Sequence, residues 1–150
     1  VPTQLGVDRW LVLLGAATRF ANKNILIIDA GTATTIDYIA ADGQHHGGWI
    51  ISGINSMISG IITNTSQVHA NANEQINLDF GKNTSENVHN AAWAATVGAI
   101  NLAISQTVQQ QGTLDEVLFT GGNGGKLSAL INHPSRVIDK LVFHGLQTYI

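Results

Sequence analysis

The 150-residue sequence contains no cysteine. That excludes disulfides and thiolate chemistry and leaves the redox compartment open. Charge is scarce: only 11% of residues are Asp, Glu, Lys or Arg, less than half the usual ~25%. Asn, Gln, Ser and Thr take their place. A surface this poor in charge is expected to be partly covered, by a partner or by another domain. The net charge is −3 and there is no basic run, so nucleic acid has no electrostatic footprint to bind. No apolar stretch is long enough to span a bilayer and no signal peptide is visible, so the cytoplasm is the default expectation. The chain also lacks an initiating Met. It opens Val1-Pro2-Thr3 and runs within a few residues into a helical pattern, an opening expected of a fragment or a processed chain.

What is present suits one domain with a real core: 44% of residues are hydrophobic, and the length suffices to bury them. The organising stretch is Ile25 to Ile39. Four apolar residues, Ile25 to Ile28, predict a strand buried on both faces. They lead to Asp29 and a turn of small residues, Ala30-Gly31-Thr32-Ala33. Thr34 to Ile39 then predicts a returning strand. A carboxylate at the mouth of a buried strand is costly unless a cation or hydrogen-bond donors compensate it. Gly31 permits close approach of backbone to a ligand, and Thr32 adds a hydroxyl. A hairpin of this kind can hold phosphate and a cation; it can equally be an ordinary hairpin with an Asx-type turn.

Around that hairpin the pattern reads in order. Trp10 to Phe20 predicts an amphipathic helix, with Trp10, Leu11, Leu13, Leu14, Ala17 and Phe20 at helical spacing and Asp8 near its N-terminus. Ala41-Asp42-Gly43-Gln44 carries a hairpin signal and leads to a third strand near Gly48 to Ile51. Ile54 to Ile62 predicts a helix. Thr63 to Ser85 reads as a long polar connection. The longest helical pattern runs from Ser85 to Gln111, with Thr84 or Ser85 as cap and a stripe of Val88, Ala91, Ala92, Ala95, Ala99 and Leu102. Gly98 inside it predicts another element packed close, and Gly112 ends it. Glu116 to Thr120 predicts a strand, followed by a Gly-rich loop, Gly121 to Gly125, and a short helix, Lys126 to Ile131. Val137-Ile138 and Leu141-Val142-Phe143 suggest a final strand, and His144 to Ile150 a terminal helix. This order predicts an α/β layer fold with a mixed sheet.

Four local patterns stand in one order: Leu5-Gly6-Val7-Asp8-Arg9, Asp29-Ala30-Gly31-Thr32-Ala33-Thr34-Thr35, Gly47-Gly48-Trp49-Ile50 with Ser52-Gly53-Ile54, and Thr120-Gly121-Gly122-Asn123-Gly124. Together they resemble the type III pantothenate kinases, members of the actin-like ATPase and sugar-kinase superfamily with a ribonuclease H-like fold. The resemblance covers essentially the whole chain but only the C-terminal part of the family's length. It implies transfer of the γ-phosphate of ATP to the hydroxyl of pantothenate, the first step of coenzyme A synthesis. Asp8 then matches the proton acceptor; otherwise it is a helix-start residue. Arg9 would hold the pantothenate carboxylate, or else is a surface residue of the first turn. Gly6 and Val7 complete that substrate-binding segment, and Thr84 matches a substrate-contacting position or caps the long helix. Asp29 matches the site of a monovalent cation, K+ or NH4+. Thr32, with Gly31, matches the ATP-contacting hairpin, and Gly121 and Gly122 the adenosine-side turn. Mg2+ would accompany the nucleotide. A homodimer is implied, with the cation site near the subunit contact.

His45 and His46 have no Cys or carboxylate partner at ligand spacing, so no metal site is read there. Asp37, in the second strand, receives no role. Two departures from the family pattern stand out. The N-terminal domain with its Asp-x-Gly-Asn-Thr phosphate loop is absent, and a Tyr expected upstream of Gly6 would precede Val1. Ser52 stands where Pro is frequent. Half of a two-domain cleft is expected to be inactive by itself. The rival expectations are a non-catalytic binding or regulatory module derived from this domain, and another actin-like sugar or acid kinase.

Overall fold

The computed structural model describes residues 5–64 and 75–149. Its elements are α1 (Val7–Arg19), β1 (Ile25–Ala30), β2 (Ala33–Ile39), β3 (His45–Ser52), α2 (Ile54–Asn64), α3 (Thr84–Gln111), β4 (Glu116–Thr120), α4 (Gly124–Leu130), β5 (Arg136–Val137) and α5 (Leu141–Leu146), ending in a 3-10 turn, Gln147–Tyr149. The strands form one five-stranded sheet in the order β3-β2-β1-β4-β5. β1, β2 and β3 make the antiparallel meander that the sequence predicts. β4 lies parallel to β1 on its other side, and β5 parallel to β4. The sheet is therefore mixed, and β1 is its centre.

Side chains alternate across a sheet, and the two faces of β1 serve two cores. Leu26, Ile28 and Ala30 join Ile36, Val117 and Phe119 against Ile54 of α2, Leu127 of α4 and Trp93, Val97 and Ile100 of α3. Ile25 and Ile27 join Ile39 and Leu118 against Val12, Leu13 and Ala16 of α1 and Leu141 of α5. This is why a run of four consecutive apolar residues is needed there: neither face of β1 meets water. Asp29 has the same parity as Ile25 and Ile27, so it belongs to the α1 face. It pairs across the sheet with Thr35 on β2 and Thr120 on β4.

Several expectations need correction. β1 runs through Asp29 to Ala30 and β2 begins at Ala33, so the turn is Gly31-Thr32 alone and not Ala30 to Ala33. α1 begins at Val7, placing Asp8 and Arg9 in its first turn. The long helix is capped by Asn83, whose side chain accepts from the Glu86 N–H; Thr84 is the first helical residue. Its buried row is Trp93, Thr96, Val97, Ile100, Ala103 and Thr107, not the predicted stripe, of which only Ala92 is buried while Leu102 is exposed. The Thr96 and Thr107 hydroxyls donate to carbonyls one turn back, so neither buried hydroxyl is left unpaired. Nothing packs against Gly98 among the described residues. Leu141-Val142-Phe143 opens a helix instead of forming a strand, because α5 must pack along α1, and Arg136–Val137 alone extends the sheet. The predicted connection Thr63 to Ser85 is shortened by the last turn of α2, and its residues 65–74 lie outside the described residues, as does Ile150.

Candidate functional site

Three backbone segments converge where β1 ends. The first is the β1–β2 turn. Its Gly31 N–H closes on the Ala33 carbonyl at 3.0 Å, so that donor is used within the turn. The Thr32 carbonyl is held by the Gly53 N–H at 3.0 Å and by the Ser56 hydroxyl at 3.0 Å, tying the tip to the start of α2. Gly31 and Thr32 themselves are exposed. The second segment is the Gly-rich loop after β4. Asn123 donates its N–H to the Ala30 carbonyl at 3.1 Å. Gly121 takes a left-handed conformation, φ 82°, and a Cβ there would lie 2.7 Å from both the Ala30 carbonyl oxygen and Asp29 Oδ1. Only glycine permits that approach. Loop and hairpin thus meet at Asp29, outside the carboxyl ends of the parallel pair β1 and β4, the usual place for ligands in such sheets.

The third segment is the start of α1. Gly6 precedes the helix, its carbonyl accepting from the Trp10 N–H at 2.9 Å. Val7 and Asp8 are exposed. The Asp29 carboxyl is pushed above its ordinary value, first by burial and then by the negative charge of Asp8. Two acidic side chains 21 positions apart in sequence therefore share one electrostatic neighbourhood. Asp29 accepts no hydrogen bond from a described side chain or backbone group, and a half-buried carboxylate so placed could hold a cation.

Arg9 does not extend freely into solvent. Its Nε and Nη2 donate to Asp37 Oδ2 and Oδ1 at 2.8 and 2.6 Å. That bond, against the opposing effect of burial, raises the already high guanidinium pKa, with the Asp37 charge adding to it. Asp37 is 2% exposed and also receives His45 Nε2 at 2.7 Å on Oδ1. His46 instead sets its ring against Tyr38 at 5.5 Å. Sequence reasoning left Asp37 without a role. The available signal was its parity: it shares a face with the buried Ile39, where a charge needs partners.

The structure thus sets Gly121 against Asp29 beside the Gly31–Thr32 turn, with the charge of Asp8 acting on Asp29 and Val7 and Arg9 flanking Asp8 in the first turn of α1, just after Gly6. Gly122 is exposed on the same loop. Thr84 stands exposed at the start of α3, and no hydrogen bond or ion pair between described residues links it to this cluster.

The sequence pattern of the type III pantothenate kinases matches residues 1–106. A type III pantothenate kinase of Colwellia psychrerythraea is 46% identical over 158 aligned positions, covering 99% of this chain and 63% of that protein. A solved structure of a conserved Campylobacter jejuni protein assigned to the Baf family of transcriptional activators superposes with a TM-score of 0.71 at 25% identity, over 97% of this chain and 63% of the other. MreB 5 of Spiroplasma citri bound to AMPPNP matches at a TM-score of 0.52 and 16% identity, over 93% and 56%, which speaks to the fold alone. The chain spans between about half and two thirds of the length of the curated relatives it matches, 51% to 63% for the first three. By the match over residues 1–106, the chain belongs to the type III pantothenate kinase family, on the fold of the actin-like ATPases and sugar kinases.

Proposed function

We propose that this chain is the C-terminal, acid- and nucleotide-binding portion of an enzyme that phosphorylates pantothenate to 4′-phosphopantothenate with ATP. The observation that carries the reading is the nearness of the Asp8 charge to Asp29, with Arg9 on the same helical turn as Asp8. Asp8 takes the proton from the attacking hydroxyl as the γ-phosphate transfers. Arg9 binds the pantothenate carboxylate, and Gly6 and Val7 let the substrate lie against the backbone, with Thr84 reaching it from α3. The Thr32 hydroxyl at the exposed hairpin tip binds phosphate; on the adenosine side Gly122 leaves room, and Gly121 lets the same nucleotide-binding loop close on Asp29. Asp29 holds K+ or NH4+, with backbone carbonyls such as that of Ala30 as further hard oxygen ligands. Bound there, such a cation would neutralise Asp29 beside the nucleotide, and Mg2+ would accompany the nucleotide.

In this reading the phosphate loop comes from an N-terminal domain, and the enzyme works in the cytoplasm as a homodimer with the cation site near the subunit contact. The low charge and the exposed Ile50, Phe80 and Val137 support surfaces of this chain being covered. The test is phosphorylation of pantothenate by ATP with K+ present, run on the full-length protein and on residues 1–150. The full-length protein turns over and the 150-residue chain does not. No turnover by the full-length protein sinks the kinase reading; robust turnover by the chain sinks the need for an N-terminal domain. A second reading, a regulatory module derived from the kinase, draws on the likeness to the Campylobacter protein. It predicts an inactive full-length protein that still binds pantothenate.

A further inference from the structure

Asp37 is a carboxylate in the middle of a sheet, opposite Ile27 on one side and Gly48 on the other. Three donors from two elements converge on it: Arg9 Nε, Arg9 Nη2 and His45 Nε2. The site is shaped for that carboxylate. A side chain at Gly48 would collide with Asp37 Oδ1 and the Ile36 carbonyl. Stability alone is a weak reason for such an arrangement, because a buried ion pair is often replaceable by apolar residues without loss. What the pair does achieve is geometric. It fixes the orientation of the Arg9 guanidinium against β2.

The chemistry of the guanidinium carries the inference further. It has five N–H donors in a planar fork. The bond to Asp37 is side-on and uses Nε–H and one N–H of Nη2. The end-on edge, Nη1 with the second N–H of Nη2, has no acceptor among the described residues. The Arg9 side chain is 17% exposed, so this edge is within reach of a ligand. A second carboxylate fits it with two parallel hydrogen bonds.

We propose that Asp37 is a positioning residue for acid recognition: it holds one edge of Arg9 so that the other is presented, in fixed orientation, to the carboxylate of the substrate. His45, by donating to the same oxygen, keeps Asp37 from rotating. The inference rests on the pantothenate kinase reading and predicts selectivity for the acid over neutral analogues.

The test uses the full-length protein, with pantothenate and its neutral analogue in which CH2OH replaces the carboxylate. Asp37→Asn keeps the shape and removes the charge. It raises KM for pantothenate about tenfold, as weakening a charge-assisted bond to a charged ligand does, leaves kcat within about twofold, and leaves KM for the alcohol unchanged. Equal losses with acid and alcohol, or no loss, overturn the proposal while the kinase reading stands. The Arg9 Nε–H signal in nitrogen-resolved NMR gives a second measurement, needed if Asp37→Asn does not fold. In the wild type it exchanges slowly with water; a freely exchanging signal overturns the positioning claim. If the wild type does not phosphorylate pantothenate, the kinase reading falls, and the NMR signal still decides whether Arg9 is held.

Discussion

Gly121 turns against the carboxylate of Asp29, with the place of its missing Cβ 2.7 Å from Asp29 Oδ1. One residue without a side chain thus joins the Gly-rich loop to the end of the central strand. Gly121→Ala meets two penalties. A left-handed backbone costs about 1–2 kcal/mol for a residue with a Cβ, and the methyl group crowds Ala30 and Asp29. Urea denaturation should show a loss of roughly 2 kcal/mol or more. An unchanged midpoint would mean that the loop is free to move away from Asp29.

Asp29 should set the response to cations. Burial and the Asp8 charge raise its carboxyl above the ordinary 3.8. For a raised carboxyl, the ionised form costs the folded state stability at pH above its folded pKa, and the cost disappears as pH falls below 3.8. Asp29→Asn therefore melts higher than the wild type at pH 7 in buffer free of K+ and NH4+. Added K+ raises the wild-type melting temperature and narrows the difference. A wild type indifferent to K+ argues against a cation at Asp29.

Glu116 shows the opposite sign. Burial pushes its carboxyl up, but hydrogen bonds from Lys23 and Arg136 outweigh that and hold it below the ordinary 4.5. The bonds are 2.6 Å from Lys23 and 2.8 Å from Arg136 Nε. Their contribution is present above pH 4.5 and is lost as pH falls through the lower folded value. Glu116→Gln is expected to cost about 1–3 kcal/mol at pH 7, and the gap to the wild type closes in acid. Parallel melting curves across that pH range would contradict the assignment.

Asp8→Asn addresses the chemical step. Loss of a general base lowers kcat by about 10²- to 10⁴-fold. KM for pantothenate changes little, because Arg9 and the backbone supply the binding. The measurement is steady-state phosphorylation by the full-length protein. A raised KM with unaltered kcat would make Asp8 a binding residue instead.

The strands were legible because their patterns have contrast. Ile25 to Ile28, four apolar residues that include three Ile and run into a turn of small residues, read as a strand with both faces covered, and Glu116 to Thr120 reads as one beside a glycine-rich turn. α3 had no such contrast. Ala, Thr and Gln lie all round it, so the phase of its buried face could not be read, and the expected row fell to one side of Trp93, Val97 and Ile100. The end of the chain failed for another reason: Leu141 to Phe143 suits strand or helix, and contact with α1 decides. Of the candidate site, Gly6 to Arg9, Asp29 to Thr32 and Gly121-Gly122 were visible as motifs; for Asp37 parity marked only a buried charge, and its partner Arg9, 28 positions away, was not legible.

Local order alone determined the three-stranded meander, the existence of a strand at Glu116 to Thr120 and the glycine turn after it, since these depend on neighbours within a few positions; that this strand lies parallel to β1 was decided by the tertiary structure. Tertiary structure decided which charges meet: Asp8 with Asp29, and Arg9 with Asp37 instead of open solvent. Charges act through space, and only the layer of α1 over the sheet brings these side chains within reach of one another.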